Sequence, residues 1–291
     1  MRLPSPGFVS YNQPMPELLL QKANALRALH QSGKVLLLPN VWDVASARTI
    51  EEARFHAIAT TSAGIAFSLG YPDGQKISRQ EMLAHVARIA RSVRVPVSAD
   101  VEAGYGDRPE DAAETAREVI AAGAVGMNFE DGTDDPQRPL LDLPLQLERI
   151  RAIREVAEKS GVPLVLNART DVYLAQVGSP DSRYDHALGR LRAYRDAGAS
   201  CVFLPGLRDP ETIKQFVKDV QCPLNILAGP GSPSITELGK LGVARVSLGS
   251  APMRATLGLL RRIAHELKAS GTYQALEGAP AHGDVNNMLE K

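Results

Sequence analysis

Eight short apolar or β-branched runs recur along the chain, and longer segments of helical periodicity lie between them. The runs are VLLLPN (35–40), AIATTS (57–62), VPVSADVE (95–102), AVGMNFED (124–131), PLVLNART (163–170), ASCVFLPG (199–206), PLNILAG (223–229) and RVSLGS (245–250). The intervening segments, such as SRQEMLAHVARIARSV and LPLQLERIRAIREVAEKSG, repeat apolar residues at three and four spacing and often end in Gly. The runs lack clean polar alternation, which is what strands of a parallel sheet covered on both faces require. Eight βα units in 291 residues predict a closed α/β barrel, the (β/α)8 TIM barrel, ahead of an open doubly wound sheet. No Pro-, Gly- or Ser-rich linker interrupts the repeat, so residues 1–291 read as one barrel domain. Residues 1–32 are expected to form an N-terminal lead-in and helix. The polar stretch 270–291 forms a C-terminal tail, expected to pack on a neighbour or stay loose.

The 33 Lys and Arg residues balance 33 Asp and Glu residues. Such a chain has no general field to attract nucleic acid or an anionic membrane, so the expected partner is a small molecule held locally. No apolar stretch approaches the ~18 residues of a membrane helix. The proline-broken N-terminus lacks the apolar run of a secretory signal. Cys201 and Cys222 sit in or beside apolar runs, without CxxC or His at ligand spacing, which argues for reduced thiols and against zinc. Together these features predict a cytoplasmic enzyme.

In a parallel barrel, catalytic groups gather at the C-terminal ends of the strands. Those ends are acidic here. The third run supplies Asp100 and Glu102, the fourth Asn128, Glu130 and Asp131, and the fifth Asn167, Arg169 and Asp171; Asp73 follows the second. Asp100 and Glu102 are two apart and would share a face of an extended strand, repelling each other unless a cation or Arg intervenes. With Glu130 and Asp73 they form an all-oxygen set suited to Mg2+ or Mn2+, the alternative being solvated surface acids. The planar fork of Arg169 suits a carboxylate or phosphonate, or an ion pair with Glu130 or Asp171. Thr61 and Ser62, just before Ala63 and Gly64, either donate to a substrate carboxylate or cap a helix. GYGDRP lacks the Lys and third Gly of a nucleotide loop. His30, His56, His85 and His186 fall in helical stretches and read as surface or interface residues, and His265 and His282 carry no signal.

The blocks SAGIAFSLGYPDG, SADVEAGYGD, GMNFEDG and LNARTD resemble those of the isocitrate lyase and phosphoenolpyruvate mutase superfamily, over about residues 17–270. The resemblance implies Asp100 as direct metal ligand, with Asp73, Glu102 and Glu130 acting mainly through water. It implies that Arg169 grips the substrate carboxylate, helped by Thr61, Ser62 and the backbone of Ala63. It also implies a barrel whose last helix is exchanged between subunits of a homotetramer or homodimer.

Two departures narrow the expected activity. The lyases of that superfamily carry a K-[KR]-C-G-H loop whose Cys is the acid/base, whereas residues 132–144 here read GTDDPQRPLLDLP, without Cys, His or Lys. Cys201 and Cys222 come from later strands and do not replace it. Ala59 and the same segment also depart from the phosphonopyruvate-processing members. What remains is a Mg2+-dependent lyase that cleaves a C–C bond of a small 2-oxo or 2-hydroxy dicarboxylic acid through a metal-bound enolate, as an oxaloacetate decarboxylase does. Asn225 and Arg138 are candidates for handling the leaving or distal group, with Arg169 and Asp73 completing the catalytic set; Arg138 reads equally as a solvated loop charge. The alternatives are phosphonopyruvate mutase or hydrolase chemistry, and a weakly catalytic protein that binds α-keto acids.

Overall fold

A computed structural model of the chain describes residues 15–290. Helix α1 (Met15–His30) leads into the barrel, whose first strand position is split into β1 (Leu36–Leu38) and β2 (Asn40–Val41). The remaining strands are β3 (Ile58–Thr60), β4 (Val97–Asp100), β5 (Gly126–Glu130), β6 (Val165–Arg169), β7 (Cys201–Phe203), β8 (Leu224–Leu227) and β9 (Arg245–Ser247). All pair in parallel, in the order β1-β9-β8-β7-β6-β5-β4-β3-β2. The nine segments occupy the eight expected positions. Pro39 separates β1 from β2 because its ring nitrogen has no hydrogen to give the ladder, while its carbonyl accepts from Ala59 N at 3.0 Å. β1 therefore pairs with β9 and β2 with β3, and the sheet closes across this one residue.

Between strands run α2 (Val44–Glu52), α3 (Ser62–Ser68), α4 (Arg79–Ser92), α5 (Pro109–Ala121), α6 (Leu143–Ser160), α7 (Pro180–Asp196), α8 (Pro210–Val220) and α9 (Ile235–Lys240). Their starts are written locally. Asp43, Ser78, Ser179, Asp209 and Ser234 cap the helices that follow by accepting a backbone N–H three residues on. The apolar core lies between this helical ring and the outward face of the strands, where Met127, Leu166, Val202 and Ile226 are fully buried. The inward face is different. Ser98, Asn128, Asn225, Arg245 and Ser247 point to the barrel axis and line a cavity, so polar side chains stand where a barrel usually stacks branched aliphatics.

Two expectations are corrected. His30 is not at the surface: it is 7% exposed, and its Nδ1 lies 2.8 Å from the Leu26 carbonyl, because α1 folds over the barrel floor. The C-terminal tail is not loose but ordered. Glu266 in α10 (Ala251–Ala269) accepts from the backbone of Gln274 and Ala275, both at 2.7 Å, and α11 (His282–Glu290) is tied to α2 by Arg48 Nε donating to Met288 O at 2.9 Å. Among the described residues, no helix is long and apolar enough to cross a membrane.

Candidate active site

The inward-facing side chains and the C-terminal strand ends enclose a cavity of about 180 Å³. Asp100, at the tip of β4, is its best-anchored group. Its Oδ2 accepts from Ser62 N and Ser62 Oγ, both at 2.9 Å, and its Oδ1 accepts from Asn128 Nδ2 at 2.8 Å. Its own N–H donates to Thr60 Oγ1 at 2.8 Å. The donors of Ser62 are thus given to Asp100, and Thr61 Oγ1 caps α3 by accepting from Gly64 N at 3.3 Å. Thr61, Ser62 and Ala63 still line the cavity, as do Asp73, Arg169 and Asn225.

Glu102 reaches the same locality by a different route from the one its spacing suggests. β4 ends at Asp100, and Glu102 sits in a turn at φ 52°, so strand alternation does not set its direction. The turn is held from two sides. Gln75 N donates to Glu102 Oε2 at 2.6 Å, and Tyr105 N donates to Gln75 Oε1 at 2.6 Å. From α6, the buried Arg149 lies 4.7 Å from the Phe129 ring centre and donates to the carbonyls of Ala103 and Gly106. Burial, with Asp100 and Asp73 nearby, pushes the Glu102 carboxyl up to about 7. Burial and Asp100 also push Asp73 up.

Arg169, at the tip of β6, fulfils both ion-pair alternatives. It grips Asp171 with two donors at 2.5 and 2.8 Å and meets Glu130 at 2.6 Å. Burial works against its charge, but Glu130, Asp171 and Asp100 hold the guanidinium firmly protonated. Burial raises Glu130, and Arg169 opposes that rise. Asp131 belongs to the framework: it is fully buried and accepts from Thr170 Oγ1, Asp171 N, Arg190 Nη1 and Tyr194 Oη. Arg138 lies outside the cavity lining. Its side chain is 73% exposed, 3.7 Å from Asp135, on a loop that closes on itself through Thr133 N and Pro139 O.

Among the described residues, no three His, Cys, Asp or Glu side chains converge tightly enough to chelate one ion directly. The donor set nonetheless suits a hard cation. It is all oxygen, its carboxylates raise one another's affinity for protons, and Glu102 Oε1 is buried without a hydrogen-bond partner. Mg2+ is commonly bound by one or two carboxylates, with its remaining positions filled by water.

A larger cleft of about 660 Å³ opens at the opposite end of the barrel, beneath α1. Strand C-termini do not reach it, and Arg154 within it gives its donors to Gly198 O, Ser200 Oγ and Leu164 O. The smaller, acid-lined cavity is the one at the C-terminal ends of the strands.

Sequence reasoning missed Arg149, Arg245 and Asn40. Arg149 had a signal, since it falls on the same stripe of α6 as Ile153 and Val156, where a cation must find buried acceptors. Asn40, which accepts from Leu248 N and Gly249 N across the closing seam, had none.

The sequence pattern of the family described as phosphoenolpyruvate phosphomutase matches residues 26–268. An uncharacterized protein of Mycobacterium tuberculosis is 38% identical over 79% of this chain and 83% of its own length. An oxaloacetate decarboxylase of Ectopseudomonas mendocina is 30% identical over 84% of this chain and 87% of its own. Among solved structures, oxaloacetate acetylhydrolase in complex with the product oxalate superposes with a TM-score of 0.81 at 27% identity, covering 96% of this chain and 95% of that one. Phosphonopyruvate hydrolase in complex with oxalate and Mg2+ gives 0.80 at 25% identity, covering 92% and 94%.

Proposed function

The chain belongs to the phosphoenolpyruvate phosphomutase family, and from that premise we propose that it is a Mg2+-dependent lyase cleaving a C–C bond of a small 2-oxo or 2-hydroxy dicarboxylate. Decarboxylation of an oxaloacetate-like acid is the simplest such reaction. The observation that carries the reading is Asp100, fixed by three hydrogen bonds at the mouth of an acid-lined cavity that has no thiol or imidazole in its lining.

Asp100 would hold the cation directly, and Asp73, Glu102 and Glu130 would hold it through water. When bound, Mg2+ supplies positive charge that polarises the carbonyl of a 2-oxo acid and stabilises the negative charge left as a bond to C3 breaks. Ser62 and Asn128 keep the Asp100 carboxylate from rotating, so the acid is positioned before the substrate arrives. Arg169 places a permanent cation against the cavity wall for the substrate carboxylate, and Glu130 and Asp171 fix its plane. Loss of CO2 needs no general base, and the carbon left behind takes its proton from water. That economy suits this chain. Cys201 is buried and pushed up to about 12, Cys222 is pushed up by burial to about 11, and neither lines the cavity.

The oxaloacetate decarboxylase relative and the oxalate complexes of two structural neighbours support an oxo-acid substrate. Incubation with Mg2+ and oxaloacetate is expected to give saturable pyruvate formation that EDTA abolishes; a rate no higher than the uncatalysed background contradicts the proposal. Phosphate release from phosphonopyruvate would favour P–C chemistry, which the phosphonopyruvate hydrolase neighbour keeps in view. Tight oxalate binding with no turnover of any acid would favour a binding protein. We further propose a homotetramer or homodimer that exchanges its C-terminal helices. Support comes from α10, which buries only Met253 within its own chain and exposes Leu257, Leu259, Leu260 and Leu267. A monomeric mass by light scattering contradicts that assembly.

A further inference from the structure

Arg245 opens β9 with its side chain inside the barrel, beside Asn225 of β8 in register and two residues below Ser247 on the same face. It is 2% exposed and lines the same cavity as Asp100. Its Nε and Nη1 have no hydrogen-bond partner, and among the described residues no carboxylate pairs with it. The groups acting on it are few. Burial opposes its charge, Asp100 favours it, and the neutral His30 lies close enough to be disfavoured from protonating by it. An unpaired guanidinium out of water is costly unless an anion arrives to pair with it.

Arg169 makes the contrast. It lines the same cavity, but Glu130 and Asp171 already engage its donors. The cavity therefore has an acidic end at Asp100 and Asp73, which suits a cation, and a basic end at Arg245 whose donors are uncommitted. A 2-oxo or 2-hydroxy dicarboxylate has matching ends: one chelates through a carboxylate and the neighbouring oxygen, and the other is a bare carboxylate. We propose that Arg245 receives the distal carboxylate of the substrate and so selects dicarboxylates over monocarboxylates. This assignment rests on the lyase reading above. Asn225 and Ser247, hydrogen-bonded to each other at 3.2 Å beside Arg245, complete the polar surface at that end.

The test is calorimetric titration of the full-length protein in Mg2+ with three probes. Oxalate has only the chelating end, and malate and lactate differ in the distal carboxylate. The wild type is expected to bind malate roughly 10- to 100-fold more tightly than lactate, the range for one charged hydrogen-bonded contact. Arg245→Met should erase that preference while oxalate affinity stays within about two-fold, and Arg245→Lys should restore part of it. Equal wild-type affinities for malate and lactate overturn the assignment. So does a uniform loss of all three probes in Arg245→Met, which would mark Arg245 as a structural counter-charge. If Arg245→Met does not fold, Arg245→Lys decides: it must reduce the malate preference and spare oxalate. A wild type that binds no oxalate in Mg2+ defeats the lyase reading itself, and this assignment with it.

Discussion

Three of the side chains that shape this protein, Arg149, Arg245 and His30, are two cations and an imidazole buried inside the fold. His30 is the clearest to test. Burial first, then Arg245, lowers it to about 4, against a partial gain from the Leu26 carbonyl. The unfolded chain takes up a proton near pH 6.5 and the folded chain does not, so this stability is complete above about pH 6.5 and is lost as pH falls towards 4. Between pH 7 and pH 5 the loss should be about 2 kcal/mol. Urea unfolding of wild type and His30→Gln at both pH values checks it; an equal pH dependence in the two proteins refutes the assignment. The acids were legible because a charged residue at the C-terminal end of a parallel strand has few structural reasons to be there. Arg245 and His30 were not, since what distinguishes a buried cation from a surface one is the set of acceptors that the tertiary fold brings to it.

The turn after β4 shows what an element can hide. Its GYG sequence was readable as part of a family block, but the reason for Gly104 appears only in three dimensions. Gly104 has φ 85°, and a Cβ there would meet Phe129 Cε2 at 2.7 Å. Gly104→Ala should therefore cost about 2–4 kcal/mol, combining left-handed strain with overpacking, and should weaken Mg2+ binding because Glu102 lies two residues away. Gly33→Ala is the control. It shares a positive φ of 70° but has nothing within 4 Å, and should cost only about 1 kcal/mol. Thermal or urea unfolding that finds the two substitutions equal would remove Phe129 from the explanation. Helix starts were legible only in part: the segment SRQEMLAHVARIARSV opens on Ser78, which caps α4, whereas α7 begins at Pro180, ahead of the periodic apolar residues that mark it. Glu102 comes near Asp100 by a geometry other than the one its spacing suggests: strand periodicity ends at Asp100, and the following turn brings the carboxylate back towards it.

At the scale of the whole molecule, the alternation of apolar runs and helical segments was enough to read the barrel, since eight βα units in 291 residues leave few ways to cover a parallel sheet. The seam was not legible, because Pro39 divides one strand position into two segments whose partners are the first and last neighbours in the ring. Nor was the polar lining of the axis, since an Asn or Ser in an apolar run reads as a minor interruption until the strands are set side by side. That lining turns a packed barrel core into a cavity with an acidic mouth. In the function proposed above, this mouth is a divalent-cation site for an oxo-acid anion, centred on Asp100. Oxalate titration by calorimetry tests that claim most directly, with wild type and Asp100→Ala, each with Mg2+ and with EDTA. Wild type should bind oxalate only with Mg2+, and Asp100→Ala, folded by circular dichroism, should bind none. Mg2+-independent binding by the wild type, or undiminished affinity in Asp100→Ala, would contradict the account.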